Sequence, residues 1–252
     1  MNSHKYSLIK KVAAVLIALL LWQCLYMTIN QRLLLVSPLE VIANLMQMIR
    51  RADFWRTVLY SVLRITGGFL IAFATGVLLG IAAGRFKVLE ILLWPYAMAI
   101  KSVPVASFII LALIWIGSDK LSILISALMV FPIIYTNVLE GIKSADKKLL
   151  EMAYIYRLSN LKKLIYIYLP ALKTYILAAV STALGIAFKA GTAAEVIGIP
   201  DGSIGEKLYE AKIYFATAEL LAWTVAIVII SIVLEKAFIW LIAKIYDGIE
   251  GL

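Results

Sequence analysis

Six apolar stretches dominate the sequence, at residues 8–29, 58–84, 88–117, 121–141, 171–189 and 218–245. A bilayer core is about 30 Å thick, and a helix needs about 20 apolar residues to cross it. The first stretch offers 18 residues from Val12 onward, and the others offer more or nearly as many. Backbone groups in lipid must pair within their own segment, so stretches of this kind fold as helices. The expected fold class is an all-α membrane protein with about six transmembrane helices. Composition excludes the alternatives. The chain of 252 residues is 63% apolar and 15% charged, where a soluble domain is about 45–50% and about 25%. One core cannot hide that excess, so neither a soluble enzyme nor a disordered chain fits.

Cys24 is the only cysteine and His4 the only histidine, so neither an internal disulfide nor a zinc or haem site can be built. The net charge of +9 belongs to membrane loops rather than to a nucleic-acid surface, because no basic stripe lies on a polar domain. The first stretch could be a signal peptide. Its exit, Trp22-Gln23-Cys24-Leu25-Tyr26, is too bulky for a small-residue cleavage site, so an uncleaved span is favoured.

Ser37-Pro38-Leu39-Glu40 reads as a helix start, and residues 44–56 continue it as an amphipathic helix at the membrane surface. In the second span Gly76, Gly80 and Gly84 are four apart and line one face for close helix packing. Residues 88–117 would be about 45 Å long as one helix, so a break is expected at Ser102-Val103-Pro104. Gly117-Ser118-Asp119-Lys120 reads as a turn and Pro132 as a kink. Residues 190–216, rich in glycine, read as an irregular connection with short helical pieces.

Six crossings put both termini on one side. With the N-terminus inside, Lys5, Lys10, Lys11, Arg85, Lys87, Lys143, Lys147, Lys148, Arg157, Lys162, Lys163, Lys173 and Lys244 are cytoplasmic; Arg32, Arg50, Arg51, Arg56, Lys120, Lys207 and Lys212 are outside. That is 13 against 7, favouring cytoplasmic termini and a cytoplasmic loop at 143–170. Within this loop a first helix is expected over residues 147–156, a turn at Arg157-Leu158, and a second helix capped by Ser159 or Asn160 and ending at Leu169-Pro170. Leu149, Leu150, Met152, Ile155 and Leu158 would dock this knob into a partner's groove.

Glu151, Ala153, Leu169 and Pro170 stand at the positions of the "EAA" loop: Glu-Ala-Ala, three residues, Gly, about ten residues, Leu-Pro. Met152 replaces the second residue, and Arg157 replaces the Gly. The chain therefore resembles the permeases of binding-protein-dependent ABC importers. Ser61-Val62-Leu63-Arg64-Ile65-Thr66-Gly67-Gly68-Phe69, Lys101-Ser102-Val103-Pro104, Ala193-Ala194-Glu195-Val196-Ile197-Gly198 and Ser203-Ile204-Gly205 look like segments of the nitrate/sulfonate/taurine branch.

The resemblance implies a type I importer subunit in the bacterial inner membrane, with a five-helix core plus one N-terminal helix. Residues 1–56 would hold the N-terminal span and the extracytoplasmic segment, and residues 57–252 the permease core. Its partners would be a second permease copy, two ATPase subunits and an extracytoplasmic binding protein. ATP and Mg would sit on the ATPase subunits, with no cofactor or metal on this chain and no catalytic residue. No Gly-x-x-x-x-Gly-Lys-Ser/Thr loop is present. The coupling set would be Glu151, Met152, Ala153, Ile155, Arg157, Leu158, Leu169 and Pro170. The pathway candidates are Lys101, Ser102, Pro104, Lys189 and Glu195, since a charge at mid-bilayer costs about 2.5–3.5 kcal/mol. Arg64 is assigned to structural pairing or snorkelling. The expected substrate is a small anion; a vitamin precursor is the alternative. An ion-coupled transporter with Glu195 or Glu219 as relay is the rival class.

Overall fold

The computed structural model describes residues 2–29, 31 and 35–250. Among these, every regular element is helical: α1 (Asn2–Ile29), α2 (Pro38–Ile49), α3 (Ala52–Arg85), α4 (Lys87–Ser102), α5 (Val105–Ile116), α6 (Leu121–Lys143), α7 (Lys147–Ile155), α8 (Asn160–Lys163), α9 (Leu169–Gly198), α10 (Ile204–Ile213) and α11 (Thr217–Glu250). A π turn, Leu164–Tyr168, joins α8 to α9. Five helical segments are long and apolar enough to cross a membrane, and α4 with α5 makes a sixth candidate bent by 104°. The expected break at Ser102-Val103-Pro104 is that bend.

The centre is α3 against α6 against α9. Glycine sets the first contact. A Cβ on Gly80 would stand 2.8 Å from Val138, and one on Gly84 would stand 2.8 Å from Ile142. Gly76 faces Ile134 in the same way, so the glycine stripe packs α3 onto α6, as its spacing predicts. Ile65, Phe69, Val130, Ile134, Val180 and Leu184 fill the core between the three helices. A second cluster forms where α2 and α10 cover one end of α11, around Val41, Phe54, Ile204 and Trp223. There the Phe54 and Trp223 rings stack with centroids 5.0 Å apart. The α1 helix stands apart: no residue of its membrane-length segment Val12–Ile29 is fully buried, and Trp22 alone packs on the second cluster. The Trp22 indole N–H, which donates to the Val36 carbonyl at 3.1 Å, fastens it to the approach to α2.

Three boundaries differ from those expected. The amphipathic helix stops at Ile49, and a break at Arg50-Arg51 lets α3 begin at Ala52, so the 56–57 division falls inside α3. The helix after the loop does not stop at Lys189 but runs on to Gly198, because Gly191 admits Ile65 and the Ser126 hydroxyl instead of breaking the helix. The second loop helix does not end at Leu169-Pro170. It widens to a π turn, in which the Leu169 N–H reaches the Leu164 carbonyl, and continues into α9. Proline lacks the donor an α turn would need at position 170, and the π turn lets the rod pass it unbroken. Arg32, counted with the outside residues, lies outside the described residues.

Candidate functional site

The knob between α6 and α9 is built from local signals. The Asp146 carboxylate caps α7 by accepting from the Lys148 N–H at 2.9 Å. At the other end the Leu158 N–H reaches back to the Ala153 carbonyl at 2.9 Å, and the Arg157 N–H reaches Tyr154 at 3.1 Å. Arg157 itself has φ +49°. These two bonds with a left-handed residue between them make a Schellman terminator, in which glycine is the favoured residue. The departure from the loop pattern at Arg157 is therefore a departure at the one position where a Cβ costs energy, about 1–2 kcal/mol. Ser159 then caps α8, its hydroxyl accepting from the Lys162 N–H at 3.4 Å. Replacing Arg157 with glycine is expected to stabilise the knob by about 0.5–1 kcal/mol once the entropy of glycine is counted; slower amide exchange at Leu158 would register it.

The knob has an inner and an outer face. Ala153 is buried, and Leu150 and Leu158 pack with it on Ala145 and Ile167. Of the residues expected to dock on a partner, Leu150 and Leu158 are thus half-buried and pack inside the knob, and Ala153 of the coupling set is buried there with them. The outer face carries Leu149, Met152, Tyr154, Ile155 and Tyr156, the last three 73–80% exposed. Glu151, Arg157 and Pro170 are also exposed, while Leu169 is half-buried. Tyr154 and Tyr156 were not singled out from sequence; two exposed aromatics beside the Met-Ile pair were the available signal.

The pathway candidates do not converge. Lys101, Ser102 and Pro104 are exposed at the α4–α5 bend. The Lys101 ammonium lies 3.5 Å from the Thr136 hydroxyl, and the Ser102 hydroxyl donates back to the Met98 carbonyl at 2.8 Å. Lys189 stands elsewhere, on a cavity of about 690 Å³ between α9 and α11 walled by Phe188, Val196, Ile227 and Leu208. Thr192, Thr224, Ser231 and Glu235 add polar groups to that wall, and Glu235 is held by the Ser181 hydroxyl at 2.5 Å.

Glu195, also one of the pathway candidates, is not among the residues that wall this cavity. It is completely buried. Its Oε2 accepts from the Ser61 hydroxyl at 2.7 Å and from the Gly205 N–H at 3.3 Å, while Ser61 Oγ accepts from the Ile204 N–H at 2.9 Å. A Cβ on Gly205 would overlap Glu195, so the first turn of α10 rests directly on α9. A carboxylate at a helix N-terminus meets unpaired N–H groups and the positive end of the helix dipole. Glu195 thus clasps α10 to α3 and α9. Arg64 is also structural: its guanidinium lies 3.9 Å over the Tyr60 ring and 3.9 Å from Asp119. On α10, outside the spans, Lys207 pairs with Glu210 at 2.7 Å, and that carboxylate raises the lysine's pKa.

The family described as "Binding-protein-dependent transport system inner membrane component" matches residues 76–249. The chain belongs to this family. As a permease it is similar to the putative aliphatic sulfonates transport permease SsuC of Bacillus subtilis, with 27% identity covering 95% of this chain and 87% of the relative. It is likewise similar to the taurine transport permease TauC of Escherichia coli, at 27% identity over 85% of this chain and 80% of the relative. The bicarbonate transport permease CmpB of Synechococcus elongatus is 25% identical over 75% of this chain and 68% of the relative. The chain is thus a multi-pass importer permease of the nitrate/sulfonate/taurine branch, a transport component rather than a catalytic enzyme. The family match takes in the whole knob and both ends of the α9 rod.

Proposed function

We propose that this permease imports a small anion, with both termini in the cytoplasm, two copies of the chain forming the pathway, and two ATPase subunits docked under the knobs. The observation that carries the reading is the knob's outer face. Met152, Tyr154, Ile155 and Tyr156 stand exposed on a short helix whose inner side is fixed to the membrane helices. Apolar and aromatic side chains left bare in water beside a charged rim mark a protein contact. ATP is hydrolysed on the partners, and the movement enters this chain through α7 and α8. Support for an anion comes from two sources. The relatives are named for sulfonates, taurine and bicarbonate, and Lys189 opens onto the largely apolar α9–α11 cavity, where a cation attracts negative charge with little competing water. A binding protein delivers the substrate from outside.

Two measurements test this. In a Cys24→Ser background, the Tyr154→Cys variant is expected to react with a membrane-impermeant maleimide only from the cytoplasmic side. Proteoliposomes holding the permease, its ATPase pair and its binding protein are expected to take up sulfonate only with ATP, and Lys189→Met is expected to lower the rate at least tenfold. Uptake by the permease alone on an ion gradient would overturn the ATP-driven reading in favour of a secondary transporter.

A further inference from the structure

A second cavity, of about 570 Å³, lies between the end of α3, the end of α6 and the α8–π turn segment. Its walls divide by chemistry. Ile81, Leu161, Leu164 and Leu172 supply apolar surface, and Arg85 and Lys163 supply two cations. The carboxylates nearest the end of α3 and α6 are already matched with other cations. Glu90 pairs with Lys87 at 3.3 Å and with Lys143 at 3.0 Å, and Glu140 pairs with Lys143 at 3.8 Å. Among the described residues no carboxylate lies within ion-pair distance of Arg85 or Lys163.

We propose that this cavity is a binding site for an anionic phospholipid of the leaflet on the knob's side. Its phosphate lies between Arg85 and Lys163, and its acyl chain runs along Ile81 and Leu172. Three observations select a lipid. Arg85 closes the apolar α3 span, so it stands at headgroup depth. The apolar wall continues from the cations toward the hydrocarbon. Two unmatched cations in a pocket between membrane helices suit a phosphodiester, and a guanidinium binds it through two parallel hydrogen bonds. The site touches α3, α6 and the π turn at once, so an occupant braces the joint through which the knob meets the membrane helices. The inference does not depend on the transported substrate.

The test uses the full chain in detergent, with native mass spectrometry and thermal unfolding after titration with phosphatidylglycerol or phosphatidylcholine. Wild-type permease is expected to retain phosphatidylglycerol selectively and to gain thermal stability from it. Arg85→Gln with Lys163→Gln is expected to weaken retention about thirtyfold, on the scale of two cations at an anionic lipid surface. Arg85→Lys with Lys163→Arg keeps both charges and is expected to keep most of the retention. Lys120→Gln, outside the cavity, is expected to change nothing. Equal retention by the double glutamine variant, or equal retention of phosphatidylcholine, would overturn the proposal. So would displacement of phosphatidylglycerol by millimolar inorganic phosphate, which would mark a free-anion site instead.

Discussion

Replacing Glu195 with alanine is expected to lower the thermal midpoint of the purified permease by about 10 °C. The side chain is fully buried, and its Oε2 is the shared acceptor for the Ser61 hydroxyl and the Gly205 N–H. Alanine leaves both donors without a partner and opens a void beside α10. Each buried donor left unpaired costs about 1–3 kcal/mol and the void adds to it, for a total of about 3–5 kcal/mol. For a chain of this size 1 kcal/mol corresponds to about 2–4 °C. Glu195→Gln retains an acceptor oxygen in nearly the same volume and is expected to lose less than half as much. Gly205→Ala probes the same contact from the other side, because a methyl group there meets the Glu195 backbone, which cannot turn aside as a side chain can. Tryptophan fluorescence during heating in detergent reads all three. An unchanged midpoint for Glu195→Ala would show that the clasp contributes nothing.

Met152→Asp with Ile155→Asp is expected to abolish co-purification of the ATPase subunit while leaving the permease folded. Met152 is 52% exposed and Ile155 is 73% exposed, so charging them disturbs no internal packing. At a partner interface the same change buries two carboxylates against apolar surface. Central anchors of interfaces are each worth about 2 kcal/mol or more, and loss of two weakens association about a thousandfold. The contrasting variant is Ala153→Leu, which acts inside the knob where Leu158 and Ile167 already fill the space; it is expected to unfold the knob and lower stability. Retention of the ATPase by the double aspartate variant would remove the outer face from the coupling reading.

Local rules carried much of this architecture and failed where distant parts of the chain meet. The Gly76–Gly80–Gly84 stripe, the break at Pro104 and the cap at Ser159 are each set within a few residues, and each is found where the pattern puts it. The α9 helix was cut short because Gly191 looks like a breaker in isolation. Its role becomes visible only against Ile65 and Ser126, which occupy the space a side chain would take. The contacts of Glu195 were hidden for the same reason. A carboxylate in an apolar run suggests a pathway, but Ser61, the partner that holds it, lies 134 residues away. The inner and outer faces of the knob were merged because Ala145 and Ile167, which define the inside, flank α7 at a distance rather than within it.

The unbroken passage through Pro170 has a mechanical consequence. From Asn160 to Gly198 the chain is one rod of 39 residues, about 58 Å at 1.5 Å per residue. One end begins in the knob and the other carries Glu195 against the first turn of α10. In the proposed reading, a torque applied at the knob by a docked ATPase therefore travels the length of the rod without crossing a loop, and the two ends stay in phase like the ends of a crankshaft.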